Sequence, residues 1–273
     1  MPSIPLIEEE QLNDPEMKQA AIELVTGKSI SDALYSLAFE CKLIKSIEEL
    51  EKEVEENRES FPLLYLIPTA FTDKEGKTKA INRNNEDSPE QDMFQKASFY
   101  QSWYGMNFVA PACEQICSEH DVKQDDLSFI VENNPFIPQR HELLYLRGLL
   151  AGLQNDPVIS THLLVPQLEN SLRHILKQQG FIASNMTSEM IQDEYTLGKV
   201  LALPELNQVL TEDIIFSLKG LLVGRMGGNI RNEVCHGLYH YGQFYDAQTI
   251  YLWWLTLFLC LTPSFKHWAD DNG

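Results

Sequence analysis

Residues 161–180 read THLLVPQLENSLRHILKQQG. Leu163, Leu164, Leu168, Leu172, Ile175 and Leu176 recur at intervals that place them on one broad helical face. Gly180 stands where a helix would end, because glycine tolerates the left-handed backbone of a C-terminal cap. Pro166 should either kink the helix or lie in its first turn, since it has no N–H to donate. Away from the leucines, Glu169 and Arg173 are four residues apart, a spacing that makes them neighbours on a helix surface.

Outward from this stretch the same period recurs. Leu34, Leu37, Ala38, Cys41 and Ile44 form a stripe after Ser31 or Asp32 as a cap. EELEKEVEENRE (48–59) is strongly charged and reads as a solvated helix without a partner. LLYLIP follows, closed by Pro68. Residues 72–92, TDKEGKTKAINRNNEDSPEQD, have almost no apolar content and read as a loop or linker. Phe94, Ala97, Tyr100, Trp103 and Tyr104 then form an aromatic stripe better suited to a core than to stacking on bases, because no basic residues interleave with it. PACEQICSEH has Pro111 near a first turn, and residues 135–156 become helical after proline punctuation.

TEDIIFSLKGLLVGRMGG (211–228) predicts a helix capped by Thr211 and stopped by Gly227 and Gly228. Asn229 can cap a new helix from Ile230, and Asp246 a last one to about Leu261. Alternating strand patterns are rare, so the chain reads as all-α, a helical bundle whose last four helices form the core. The division expected is an N-terminal helical accessory region (1–82), a helical connecting region packed on the core (83–159) and a C-terminal helical domain (160–273).

The chain holds 21 basic and 40 acidic residues, a net charge of −19. That balance argues against sequence-blind coating of nucleic acid. The charge is uneven: residues 1–159 carry 14 basic against 29 acidic residues, whereas residues 160–273 carry 7 against 11. A small basic pocket is therefore compatible with the second half. Cys41, Cys113, Cys117, Cys235 and Cys260 show no disulfide spacing and suit reduced thiols in the cytoplasm. Cys113 and Cys117 lack the second ligand pair that a structural zinc site needs, so neither metal nor cofactor is expected. The N-terminal stretch lacks a signal peptide's apolar region. YLWWLTLFLCL (251–261) is too short for a membrane span of about 20 residues, so a buried helix is expected and a membrane is not.

Signatures of a nucleophile elbow, a phosphate-binding loop, a zinc protease and a calcium loop are all absent. The chemistry-bearing stretch is GGNIRNEVCHGLYH (227–240). Asn232 and His236 are four apart and share a helix face; His240 would continue it if the helix survived Gly237. Arg231 and His236 are five apart, about 140° around the axis, so spacing alone does not join them. Arginine offers a planar fork for phosphate, and histidine moves a proton near neutral pH. Equally, such residues at a helix end can simply hold carbonyls or a carboxylate.

Arg231-Asn232-x3-His236-Gly237 resembles the Arg-x4–6-His motif of the HEPN superfamily. NPFIPQRHELLYLRGLLAGLQNDP, HLLVPQLENSLRHIL and LLVGRMGGNIRNEVCHGL, in that order, resemble a bacterial family ending in a HEPN-type domain. Its eukaryotic relatives include a protein linked to RNA degradation at the endoplasmic reticulum membrane. The resemblance spans roughly residues 90–262 and covers residues 1–80 weakly. It implies a HEPN-like four-helix core in residues 160–273 and a homodimer in which two Arg/His motifs face one cleft. It also implies metal-independent endoribonuclease activity, as in toxin or antiphage effectors. His236 would assist attack by the ribose 2′-hydroxyl or protonate the leaving 5′-oxygen. Arg231 would neutralise the scissile phosphate, and Asn232 would orient its neighbours. Glu169 and Arg173 match the Glu-x3-Lys/Arg pair that several HEPN nucleases add, or form a surface ion pair. The tyrosine that some HEPN toxins carry two residues after the histidine, as an adenylylation site, is replaced by Leu238, with Tyr239 adjacent.

Two function classes follow: an RNA-cleaving enzyme with RNA as its substrate, or a non-catalytic HEPN-fold module that binds protein or nucleotide. The acidic N-terminal region is the expected docking place for a regulatory protein.

Overall fold

The computed structural model describes residues 13–63, 69–72, 78–82, 88–186 and 192–264. The protein is an all-α helical bundle. Its helices are α1 (Pro15–Val25), α2 (Ile30–Phe39), α3 (Ile47–Ser60), α4 (Ser88–Tyr104), α5 (Ala110–Glu119), α6 (Ser128–Val131), α7 (Glu142–Leu153), α8 (Pro157–Gln178), α9 (Leu197–Leu201), α10 (Glu212–Leu222), α11 (Ile230–Cys235) and α12 (Ala247–Leu261). Two antiparallel ribbons interrupt them: β1 (Thr69–Thr72) with β2 (Thr78–Asn82), and β3 (Ser184–Met186) with β4 (Gln192–Glu194).

The segment YLWWLTLFLCL is the buried helix that its composition implies. Tyr251 to Leu257, Leu259, Cys260 and Leu261 are all buried, so α12 has no solvent face along most of its length. Three large side chains keep their polar atoms satisfied there. Trp254 donates to the Leu37 carbonyl on α2 (2.9 Å), Trp253 to that of Leu149 on α7 (2.8 Å), and Tyr251 to that of Leu43 (3.0 Å). No helix among the described residues is long and apolar enough to cross a membrane.

α7 and α8 form a tight helical hairpin. Asn155 takes a positive φ of 60° between them, and Asp156 caps α8 by accepting from Ile159 N at 3.1 Å. α8 therefore begins at Pro157, earlier than the sequence pattern suggested, and Pro166 lies inside it. The close approach needs glycines on α7. A Cβ on Gly148 would lie 2.7 Å from Leu164 Cγ, and one on Gly152 would collide with the Trp253 ring and lie 2.7 Å from Ser160 Oγ.

The main core draws on residues from Ala21 to Leu261, and so on all three sequence segments. α2 begins at Ile30 with Ser29 as its cap, since Ser29 rather than Ser31 or Asp32 accepts from a first-turn amide. It ends at Phe39, leaving Cys41 and Ile44 beyond the helix but packed against the core. The charged α3 is not without a partner. Leu50 and Val54, one turn apart, pack with Met93, Phe94, Ala97, Phe216 and Met226 in a second apolar cluster. The aromatic stripe of α4 serves the core as expected, with Phe94 stacked on Phe216 at 4.6 Å between centroids. Part of the 72–92 segment is ordered as β2 and the start of α4. Residues 73–77 and 83–87 lie outside the described residues, as does most of LLYLIP.

Gly152 provides a stability test. Gly152→Ala should lower the unfolding free energy by about 1–3 kcal/mol through overpacking. Gly198→Ala, whose Cβ would meet open space, should stay within roughly 0.5 kcal/mol. Urea denaturation followed by circular dichroism measures both.

Candidate functional site

α11 is positioned by glycines. After α10 ends at Leu222, residues 224–228 fold back over its last turn, and Gly228 N donates to the Gly220 carbonyl at 3.1 Å. A Cβ on Gly228 would lie 2.7 Å from the Leu221 oxygen, so this return admits no larger residue without a shift. Asn229 then adopts a left-handed conformation (φ 50°) and precedes Ile230, which is fully buried. The position is the helix cap expected, but the Asn229 side chain does not cap a backbone amide. It accepts from Asn232 Nδ2 at 2.8 Å and donates to Glu233 Oε1 at 3.1 Å instead.

The C-terminal end of α11 is equally well defined. His236 N closes the last turn on the Asn232 carbonyl, Gly237 N donates to Val234 O, and Leu238 N reaches Glu233 O at 2.8 Å. With Gly237 at φ 67°, this is a Schellman closure. The helix therefore stops before His240, which caps the next turn (Tyr241–Tyr245) rather than extending the Asn232–His236 face. His236 occupies the cap residue itself. Its imidazole is exposed and makes no hydrogen bond among the described residues.

Four of the five sequence-selected residues come together through direct contacts. Glu169 on α8 accepts from Arg231 Nε at 3.0 Å through one carboxylate oxygen. Its other oxygen accepts from Arg173 Nη1 at 2.9 Å. Arg231 Nη1 donates to Asn232 Oδ1 at 3.3 Å. The side chains of Glu169, Arg173 and Arg231 are only 12%, 16% and 23% exposed. One carboxylate therefore serves two guanidinium groups, leaving one unit of positive charge on the trio. His236 is joined to the group by chain connection, one α-turn beyond Asn232, and not by a side-chain bond to Arg231.

Sequence spacing did not reveal the rest of the network. Arg173 Nη1 also donates to the Tyr195 carbonyl at 2.9 Å, which ties the chain after β4 to α8. The Asn229–Glu233 bridge likewise escapes a reading based on motif residues alone, although its four-residue spacing was visible. Tyr239, next to the position where an adenylylated tyrosine would stand, is half-buried and packs edge-on against Phe244. Burial, then the negative charges of Asp246 and Glu233, push its phenol pKa up. Of the other histidines on α8, His162 stacks on Phe244 and bonds the Val158 carbonyl, and His174 pairs with Gln178.

All five cysteines are free thiols. Among the described residues no group of three or more His, Cys, Asp or Glu side chains is arranged to hold a metal ion. Comparison with protein families, with curated proteins and with solved structures gives no match for this chain.

The shared carboxylate predicts an asymmetry in stability. Glu169→Ala leaves two poorly hydrated cations without their common partner and should cost about 3 kcal/mol. Glu56→Ala removes an exposed pair with Lys52 (3.9 Å) and should cost less than about 1 kcal/mol. Chemical denaturation of the two variants compares them directly.

Proposed function

We propose that this protein is a HEPN-type endoribonuclease that cleaves RNA by attack of a ribose 2′-hydroxyl on the adjacent phosphodiester. The observation that carries the reading is the Glu169 carboxylate. It joins the Glu-x3-Arg pair of α8 to the motif arginine of α11 across 62 residues of chain. Two sequence features that resemble parts of one nuclease motif thus meet in space.

The chemistry assigns each residue a task. Glu169 and Asn232 engage Nε and Nη1 of Arg231, which holds the guanidinium plane in place. Nη2, with no hydrogen bond among the described residues, is the edge offered to a phosphate oxygen. Positive charge placed where the phosphorane becomes more negative lowers the barrier. The 2′-oxygen bonds to phosphorus and the bond to the 5′-oxygen breaks, giving a 2′,3′-cyclic phosphate and a 5′-hydroxyl. His236 takes the 2′-proton or supplies one to the leaving oxygen. In a homodimer, the His236 of each copy would be available to one cleft, so both proton steps would have a carrier. No step calls for a metal ion.

A second reading is favoured by the same contacts. Arg231, Glu169 and Asn232 are already hydrogen-bonded to one another, so the cluster can brace α8 against α11 in a non-catalytic module. In that case regulation or partner binding would fall to the acidic N-terminal region, of which residues 1–12 lie outside the described residues.

Cleavage of mixed RNAs in EDTA separates the readings. The wild-type protein should produce 2′,3′-cyclic phosphate ends, and His236→Ala should slow this by roughly 10²–10⁴-fold without changing the circular dichroism spectrum. Equal rates for the two proteins, or no cleavage by either, would leave only the brace.

A further inference from the structure

The polar flank of α8 continues one turn beyond the shared carboxylate. Lys177 stands four residues after Arg173, and its Nζ is 2.6 Å from Glu194 Oε1 on β4. The second oxygen of Glu194 lies 3.9 Å from Arg173 Nε. Just beyond, Lys199 Nζ sits 3.6 Å from the centroid of the Tyr195 ring. Arg173, Lys177 and Lys199 therefore gather around Glu194 and Tyr195, and Arg231 adjoins this group through Glu169, in a protein of net charge −19. Glu169 lies between Arg231 and Arg173, and Glu194 lies between Arg173 and Lys177.

The two carboxylates differ in how firmly they are held. Glu169 is 12% exposed and receives hydrogen bonds from both neighbouring arginines. Glu194 is 51% exposed and Lys177 48%. An ion pair so accessible to water is weak, and a competing anion can displace its carboxylate at small cost. A phosphodiester offers the same recognition chemistry: one negative charge and two unhindered oxygen acceptors. Lysine binds it as a point charge and arginine through its fork. Arg173 reaches both carboxylates, so the row from Arg231 to Lys177 is continuous.

We propose that Arg173 and Lys177 extend the Arg231 site as a track for the phosphate backbone of the RNA strand, and that the Glu194 carboxylate occupies this track until RNA displaces it. The proposal rests on the RNA-cleaving reading of the site and adds both a binding subsite and an autoinhibitory contact. It also accounts for how an acidic protein can keep a nucleic-acid site: a carboxylate within the site screens it from weak anions, and a strand reaching several cations at once prevails.

Fluorescence anisotropy of a labelled, fully 2′-O-methylated single-stranded oligonucleotide measures binding without cleavage, because the attacking hydroxyl is blocked. With the full chain, Glu194→Gln should bind roughly two- to fivefold more tightly than wild type at low salt. Lys177→Gln should bind more weakly and reduce the slope of log K against log salt by about 0.7, the value for one phosphate contact to a single strand. Made on the Lys177→Gln background, the same change should give a smaller gain, because only Arg173 is then left for Glu194 to mask. No gain in the single variant, or an undiminished gain on that background, overturns the track. A parallel assay on the matching ribo-oligonucleotide distinguishes the two failures. Cleavage without any effect of Glu194→Gln on binding removes the track alone. The expected binding changes without cleavage by any protein support the track and remove the nuclease reading.

Discussion

Burial of α12 on nearly every side is the constraint from which the architecture follows. A helix reading YLWWLTLFLCL has no polar face to give to water, so its neighbours must surround it. α2, α4, α7 and α8 do so, and each must also accept the shape and the hydrogen-bonding needs of its large side chains. The indole N–H of Trp254 reaches α2, and that of Trp253 reaches α7. A buried N–H left unpaired would cost about 1–3 kcal/mol, so these bonds fix the direction as well as the depth of packing. Gly152 follows from the same constraint, since it makes room on α7 for Trp253.

With one side of α8 committed to that core, its remaining flank becomes available for charge. Leu164, Leu168, Leu172 and Leu176 are fully buried, while Glu169 and Arg173 lie at the edge, largely shielded from water but not sealed from it. Charges in such a position interact more strongly than on an open surface and still avoid the full desolvation cost of a deep interior. α11 is too short to be stable by its own hydrogen bonds. It is held by Ile230 in the core, by the glycine return over α10, and by the Arg231–Glu169 bond. The bond of this arginine to Glu169 on α8 is therefore also part of what keeps its helix in place. Structure and proposed catalysis share the same carboxylate.

Much of the helical pattern could be read from residue spacing because the core is built from i, i+3 and i+4 leucines. The side-chain cap at Thr211, the start of α12 directly after Asp246 and the burial of α12 belong to this class. Boundaries were less legible where the competing signals were local. Ser29 took the cap of α2 from two plausible neighbours, and the Asp156-Pro157 pair started α8 before its leucine stripe. Cys41 and Ile44 kept their apolar role but not the helix, because burial selects for hydrophobicity whatever the backbone does. α3 reads as solvated by composition, yet Leu50 and Val54 are buried against the second apolar cluster, and Glu53 and Arg58 bond Tyr100 and Asp92 on α4.

The site divides in the same way. Sequence alone determined which residue types stood four or five positions apart: Glu169 with Arg173, Asn232 with His236, and Arg231 about 140° away from that histidine. It could not determine that Glu169 would meet Arg231, because that contact depends on how two helices separated by 62 residues pack. Nor could it place Glu194 against Arg173 and Lys177, since a ribbon with no motif of its own delivers it. Local spacing is a property of the helix and is written in the chain. The pairing of charges between helices is a property of the core beneath them, and only the tertiary structure decides it.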